Sequence, residues 1–327
     1  MHRVGVIGCR GIGNRHAQGA DSLPNAEVVA GCDLVDEQLQ KFEEQFKPTN
    51  PNLVMYKDYH EMLEKAEPDI VTVATGDNAH ADMVVAAAEA GVKGIFCEKP
   101  LATTLADADR MVAATENNNT LLSVDHTRRW FPLWRRCSEL VAEGAIGVPR
   151  SVLLVFHSSR SMLFRNGTHM LDAMMWFSGG RPESVMAELE DGYEDYAEYR
   201  GDGGHDPATE PSANALIRFD NGVFGIYHGD KQAPKRTEFV VTGTEGRVVI
   251  DGDDNAFLDR TEREPVEIPE WNGEGIEVGF QELVRVVDGD GELSCTGCDG
   301  LAVVEMMLGF LKSQVEGNVK VTLPLAR

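Results

Sequence analysis

Positive charge is scarce in this chain. Thirty lysines and arginines stand against 54 aspartates and glutamates, a formal net charge of −24. Nucleic-acid backbones are gripped by clustered cations, so this balance excludes that partner class. It also disfavours adhesion to an anionic membrane surface. Long apolar runs are missing too: nothing approaches the roughly 18 uncharged apolar residues of a membrane span. The opening "MHRVGVIG" lacks the charged leader, apolar core and small-residue cleavage site of a secretory signal, so the expected compartment is the cytoplasm. Cysteine is sparse, with six in 327 residues, and a chain of this length is no disulfide scaffold. Cys295 and Cys298 in "SCTGCDG" have redox or metal spacing, yet no second pair matches them, and two free thiols at a helix start are the plainer expectation. His126, His157, His205 and His228 have no ligand spacing either, so no metal site is expected. The acidic excess reads as a solvated surface, or as adaptation to high salt, where screening relieves self-repulsion.

What is present is the composition of a soluble two-domain protein, 42 % hydrophobic and 26 % charged. From residue 3 to about 124, short apolar runs alternate with helical stretches: "RVGVIG", "AEVVAGCD", "PDIVTVAT", "KGIFCEKP" and "NTLLSVDH" are strand-like, and segments such as "HADMVVAAAEAG" separate them. Uninterrupted apolar strands joined by helices predict a doubly wound, parallel α/β sheet covered on both faces. The second half changes character. "THMLDAMMWFSG" has the spacing of a short buried helix, and "SANALIRFDNGVFGIYHG" is a hairpin turning at "DNG". Strands from this half predict an antiparallel or mixed sheet, expected to be predominantly antiparallel, in a second α/β domain, with the boundary between 1–124 and 125–327. The acidic, glycine-rich stretch 190–211 is an insertion, either disordered or a lid.

The turn "GCRGIGNRH" follows the first strand with glycines at Gly8, Gly11 and Gly13, and Arg10 stands where a middle glycine is usual. Crowded glycines let a backbone approach a pyrophosphate, and the helix behind them offers unpaired N–H groups to its charge. Arg10 itself could contact the phosphates. Asp33 ends the second strand twenty residues after Gly13, where a carboxylate accepts both ribose hydroxyls and repels a 2′-phosphate. The expected cofactor is therefore NAD rather than NADP, held by Gly8, Arg10, Gly11, Ile12, Gly13 and Asp33.

Later strand ends, where α/β ligands sit, carry "TGDNAH", with Thr75, and "CEKPLA", with Glu98 and Lys99, all three expected to join the cofactor-binding set. Lys99 follows a buried strand and precedes the stiff Pro100. Beside an oxidised, cationic nicotinamide its neutral form would be favoured, so it could exchange protons with a substrate. The plain alternative is a structural ion pair with Glu98, and Glu98 itself would orient the lysine or a ribose.

These stretches, together with "GTHMLDAMMWFSG", "AIGVPRSV", "FDNGVFG" and "GTEGRVVI", resemble the Gfo/Idh/MocA family of NAD(P)-dependent oxidoreductases over nearly the whole chain. The resemblance implies a Rossmann domain and a second domain whose open sheet forms homodimers or homotetramers. It implies hydride transfer to or from a small sugar, polyol or sugar-acid-like hydroxy compound. It assigns catalysis to Lys99, His169 and Asp172, and it places Asn78 and His80 beside the nicotinamide. The family often carries an acid four residues before His169, but Arg165 stands there. Arg165 then binds a substrate carboxylate or phosphate as a fork, or pairs with Asp172 or with an acid of the 190–211 segment. With Arg128 and His169 it makes the expected substrate set, while Arg129 helps shape the same cleft and Trp130, Phe131 and Trp134 belong to its wall or the core. Two rival readings remain: a relative that cleaves glycosidic bonds through transient oxidation, and a non-catalytic nucleotide sensor.

Overall fold

A computed structural model describes residues 1–201, 206–270, 273 and 275–327. In chain order the elements of the first half are β1 (His2–Ile7), α1 (Ile12–Asp21), β2 (Ala26–Cys32), α2 (Asp36–Phe46), β3 (Val54–Tyr56), α3 (Tyr59–Ala66), β4 (Ile70–Val73), α4 (His80–Glu89), β5 (Gly94–Cys97), α5 (Leu105–Asn117) and β6 (Leu121–Val124). The second half adds α6 (Pro132–Ala142), β7 (Pro149–His157), α7 (Thr168–Ser178), β8 (Pro182–Leu189), β9 (Ala213–Phe219), β10 (Phe224–Asp230), β11 (Arg236–Gly243), β12 (Arg247–Asp251), β13 (Asn255–Asp259) and β14 (Arg263–Pro265). Then come α8 (Ile276–Val287), α9 (Gly297–Val315) and β15 (Val321–Thr322).

Two compact units result. The first comprises Met1–Thr127 with Gly273–Leu301, and the second Arg128–Asn272 with Ala302–Arg327. The late segment Gly273–Leu301, which the sequence pattern groups with the second half, thus packs in the first unit.

In that unit six parallel strands run in the order β3-β2-β1-β4-β5-β6, a Rossmann sheet. Strands such as "IVTV" and "GIFC" are buried at every position, because helices cover both faces. Local chemistry sets the helix starts: Asp58 accepts the His60 N–H before α3, and Thr104 accepts the Asp107 N–H before α5. Helix α8 lies against α1. A Cβ on Gly19 would meet Glu277 and Phe280 at 3.3 Å, and Arg15 forks onto Glu277. Phe280 also meets Phe96 of β5 edge-on.

The second unit holds a nine-stranded sheet ordered β14-β13-β12-β11-β7-β10-β9-β8-β15. Its ladders are antiparallel except for β7 with β10, so the sheet is mixed but mainly antiparallel. The hairpin at Asp220–Gly222 joins β9 to β10 with the expected alternation of buried and exposed residues. Helix α7 is buried along nearly its whole length and ends at Gly179. Among the described residues no helix is long and apolar enough to cross a membrane. Their six cysteines are free, and only Cys298 is exposed.

Candidate active site

A doubly wound sheet binds its ligand beyond the strand C-termini where the strand order reverses, here between β1 and β4. The glycine turn leaves β1 at that point. Gly8 has φ +89°, and a Cβ there would sit 2.3 Å from the Ala74 carbonyl oxygen after β4. A Cβ on Gly13 would lie 1.7 Å from the Gly8 carbonyl. Both positions therefore need glycine for closeness, and Gly8 for conformation as well. Gly11 heads α1 without a side-chain cap, and although the Gly13 N–H already donates to the Arg10 carbonyl at 3.0 Å, the other N–H groups of this first turn face the cradle's anion position. The Arg10 and Ile12 side chains are exposed beside this cradle.

Asp33 leaves β2 alongside. Its carboxylate accepts the Cys9 N–H at 3.0 Å and the Val35 N–H at 2.9 Å, which fixes its orientation. Leu34 and Val35 follow with exposed apolar side chains, 83 % and 51 % accessible. From the turn after β4, Thr75 is half-buried and Asn78 is exposed. His80 is fully buried, with Nδ1 3.0 Å from the Pro100 carbonyl oxygen, so it braces the turn that carries Lys99.

Lys99 itself is half-buried, and its N–H donates to Glu98 Oε2 at 3.3 Å. Glu98 is buried, and so are two groups that sequence reasoning does not single out for the site, His16 and Asp125. His16 Nε2 lies 3.6 Å from Glu98 Oε1 and 3.5 Å from Asp125 Oδ2. Burial alone would raise Glu98, but His16 and Lys99 hold it down at about 2. Asp125 is raised by burial and then by the charge of Glu98. For His16, burial pulls downward, yet Asp125 and Glu98 carry it up to about 9.

The remaining expected residues lie in the second unit. His169 opens the buried face of α7 and is 9 % exposed. One turn on, Asp172 is gripped by Arg129 in a bidentate fork, 2.9 Å from Nε and 2.7 Å from Nη2. The Arg129 guanidinium also covers the Trp176 ring at 5.5 Å. The fork that closes on Asp172 is thus supplied by Arg129, to which the sequence assigns only a shaping role. Arg128 is half-buried against the rings of Phe131 and Trp134.

Arg165 sits in a π-helical turn, Leu163–Gly167, that leads into α7. The buried Glu210 carboxylate holds that turn by accepting the N–H groups of Phe164, at 2.6 Å, and Arg165, at 3.1 Å. Lys231 ties the same segment down through Glu190 and the carbonyls of Pro207 and Glu210, and Tyr199 stacks on Phe164. The described part of 190–211 is therefore pinned to the entry of α7; residues 202–205, with His205, lie outside the described residues. Nothing in the sequence separates Glu210 from the other acids around it, and sequence reasoning misses it for that reason.

Comparison with known proteins agrees with this arrangement. Residues 2–126 match the family model described as "Oxidoreductase family, NAD-binding Rossmann fold", and residues 134–249 match the "GFO/IDH/MocA C-terminal domain". Myo-inositol 2-dehydrogenase of Thermotoga maritima is 29 % identical over 264 residues, covering 76 % of this chain and 75 % of that protein. D-apiose dehydrogenase of Paraburkholderia graminis is 35 % identical over 189 residues, which cover 53 % of this chain and only 49 % of that protein. The solved WlbA dehydrogenase of Bordetella pertussis, in complex with NADH and UDP-GlcNAcA, shares the fold at a TM-score of 0.79 and 21 % identity, covering 99 % of both chains. With a glycine cradle at the switch point of its parallel sheet and both family models matched in order, the chain belongs to the Gfo/Idh/MocA family of NAD(P)-binding oxidoreductases.

Proposed function

We propose that the protein is an NAD-dependent oxidoreductase that transfers hydride between nicotinamide and a sugar, polyol or sugar-acid-like hydroxy compound. The observation that carries this reading is the exit of Lys99 from β5 on the same sheet edge as the cradle built by Gly8, Gly11 and Gly13. The residues fit the dinucleotide: a side chain at Gly8 or Gly13 would close the cradle, and α1 has no cap of its own. Asp33, with its carboxylate fixed by two backbone donors, favours a free ribose over a 2′-phosphate, hence NAD over NADP. Bound there, the dinucleotide supplies the hydride chemistry.

The side chains supply the rest. Lys99 or His169 takes the proton of the substrate hydroxyl in oxidation and returns it in reduction. Arg165 and Arg128 suit an anionic or polyhydroxylated substrate, the former on a turn that Glu210 holds in place. Asp172, occupied by Arg129, serves His169 by fixing the helix that carries both. A substrate of this class agrees with the activities for which the inositol and apiose dehydrogenases are named.

The test is a panel of sugars, polyols and sugar acids with NAD, read at the nicotinamide absorbance, followed by Lys99→Ala. The variant should lose about 100-fold or more in turnover while binding NADH as the parent does. Near-parental turnover would reject the role of Lys99. Tight NADH binding with no turnover anywhere on the panel would favour the sensor reading instead.

A further inference from the structure

Behind the turn that presents Lys99 lie two ionisable side chains, His16 and Asp125, that the proposed chemistry does not use. With Glu98 they form a cluster from three elements: His16 on α1, Glu98 beyond β5 and Asp125 beyond β6 are 0, 9 and 1 % exposed. One donor atom from each falls within 4.8 Å of the others. The Phe96 ring closes over the His16 imidazole edge-on, with centroids 4.8 Å apart. Glu98 also reaches outward, accepting the Lys99 N–H.

A charge count limits what this cluster can hold. Two carboxylates and one imidazolium out of water leave one negative charge uncompensated, which a buried site avoids by keeping a proton. Glu98 is the carboxylate with Lys99 beside it, so Glu98 stays ionised and the proton rests with Asp125. Loss of that proton adds a second negative charge to the cluster whose Glu98 already interacts with Lys99. The other titratable groups around the cluster are Cys97 before Glu98, Asp77 in the turn after β4, and His126 with Cys295, whose Sγ lies 3.5 Å from the His126 ring. The Cys97 thiol is pushed well up by burial and by the charges of Glu98, Asp77 and Asp125, so it adds no charge of its own.

We propose that His16, Glu98 and Asp125 form a buried proton-holding cluster that tunes Lys99, the proton on Asp125 setting the pH at which the lysine exchanges its own proton with substrate. His16 and Asp125 are then positioning residues, and the proposal rests on the reading of Lys99 given above. Burial and the Glu98 charge both raise Asp125, the direction that a held proton requires. A divalent cation on the same three donors is the rival occupant, and it would need His16 neutral and both carboxylates ionised.

Asp125→Asn keeps the shape and cannot ionise. In this variant the limb of the kcat–pH profile for oxidation that Lys99→Ala abolishes should move to lower pH by about half a unit or more. NADH affinity should stay within about twofold, because the cradle is untouched. Infrared spectra of the parent should show a protonated-carboxyl band that disappears between about pH 6 and about pH 8 and is missing from Asp125→Asn. An unshifted profile, a parent without a titrating band, or a stoichiometric bound metal would each overturn the proposal. The infrared measurement decides the matter even if the variant fails to fold. Full turnover by Lys99→Ala would instead sink the reading of Lys99, whatever the band does.

Discussion

Asp172→Asn separates an anchoring carboxylate from a proton carrier. Asp172 is fully buried, and both of its oxygens receive charge-assisted hydrogen bonds from an Arg129 that is itself 7 % exposed. Removing one partner of a buried pair leaves the other charge stranded, at a cost of about 3–5 kcal/mol. Asparagine keeps one acceptor oxygen, which places the loss near the lower end, about 3 kcal/mol. For a unit of this size each kcal/mol moves the midpoint by about 2–4 °C, so Tm should fall by about 6–12 °C. The assay is thermal and urea unfolding of Asp172→Asn, Arg129→Met and the double variant. Removing both charges should cost clearly less than the sum of the single losses, because the second substitution strands nothing new. A loss below about 1 kcal/mol, or strict additivity, would refute the assignment of a buried, coupled pair. Turnover measured well below Tm then tells the two roles apart. An anchor costs several-fold through the placement of His169, whereas a carboxylate that moves the proton costs about 100-fold or more.

Replacing Asp33 by serine should weaken NADH and strengthen NADPH, because the fixed carboxylate that repels a 2′-phosphate is gone; paired titrations check it, and an unchanged preference contradicts it. Stability should fall as pH rises from about 6 to about 9. His16 is carried from 6.5 up to about 9 in the fold, so its contribution is complete below 6.5 and is lost as pH climbs through the folded value. Asp125, raised from 3.8 to about 7, loses its contribution in the same direction over a lower window. Glu98 is lowered and acts only in acid, where its contribution disappears as pH falls toward 2. Urea midpoints across the range measure the sum, and a flat or rising curve would contradict it.

The first unit is readable because its signals are local. Apolar runs such as "IVTV" and "GIFC", the glycines of "GCRGIGNRH" and the "EKP" after β5 are all short-range patterns; the runs form β4 and β5, and the glycines and "EKP" follow strand ends as the sequence places them. The Rossmann sheet and the mainly antiparallel second sheet follow from the same patterning. What stays hidden depends on partners far apart in the chain. His16 reads as one polar residue on a helix and Asp125 as a strand-end acid, and only the fold brings the α1 side chain to the acids beyond the ends of β5 and β6. Arg129 meets Asp172 across 43 positions, and Glu210 reaches Arg165 across 45, from a stretch whose acids all look alike. The helix "VGFQELVRVV" is visible as a helix, but its amphipathic face does not say which unit receives it.

That last helix gives the nucleotide-binding unit a history. Residues up to Thr127 leave the ribosome with the flank of α1 around Gly19 bare, and the Phe280 side chain that covers it is made only after β7–β14 of the other unit. The half of the protein that is translated first is therefore not closed until residues up to Leu301 have been made, and a fragment cut at residue 127 would carry an open apolar seam where the intact chain has a closed one.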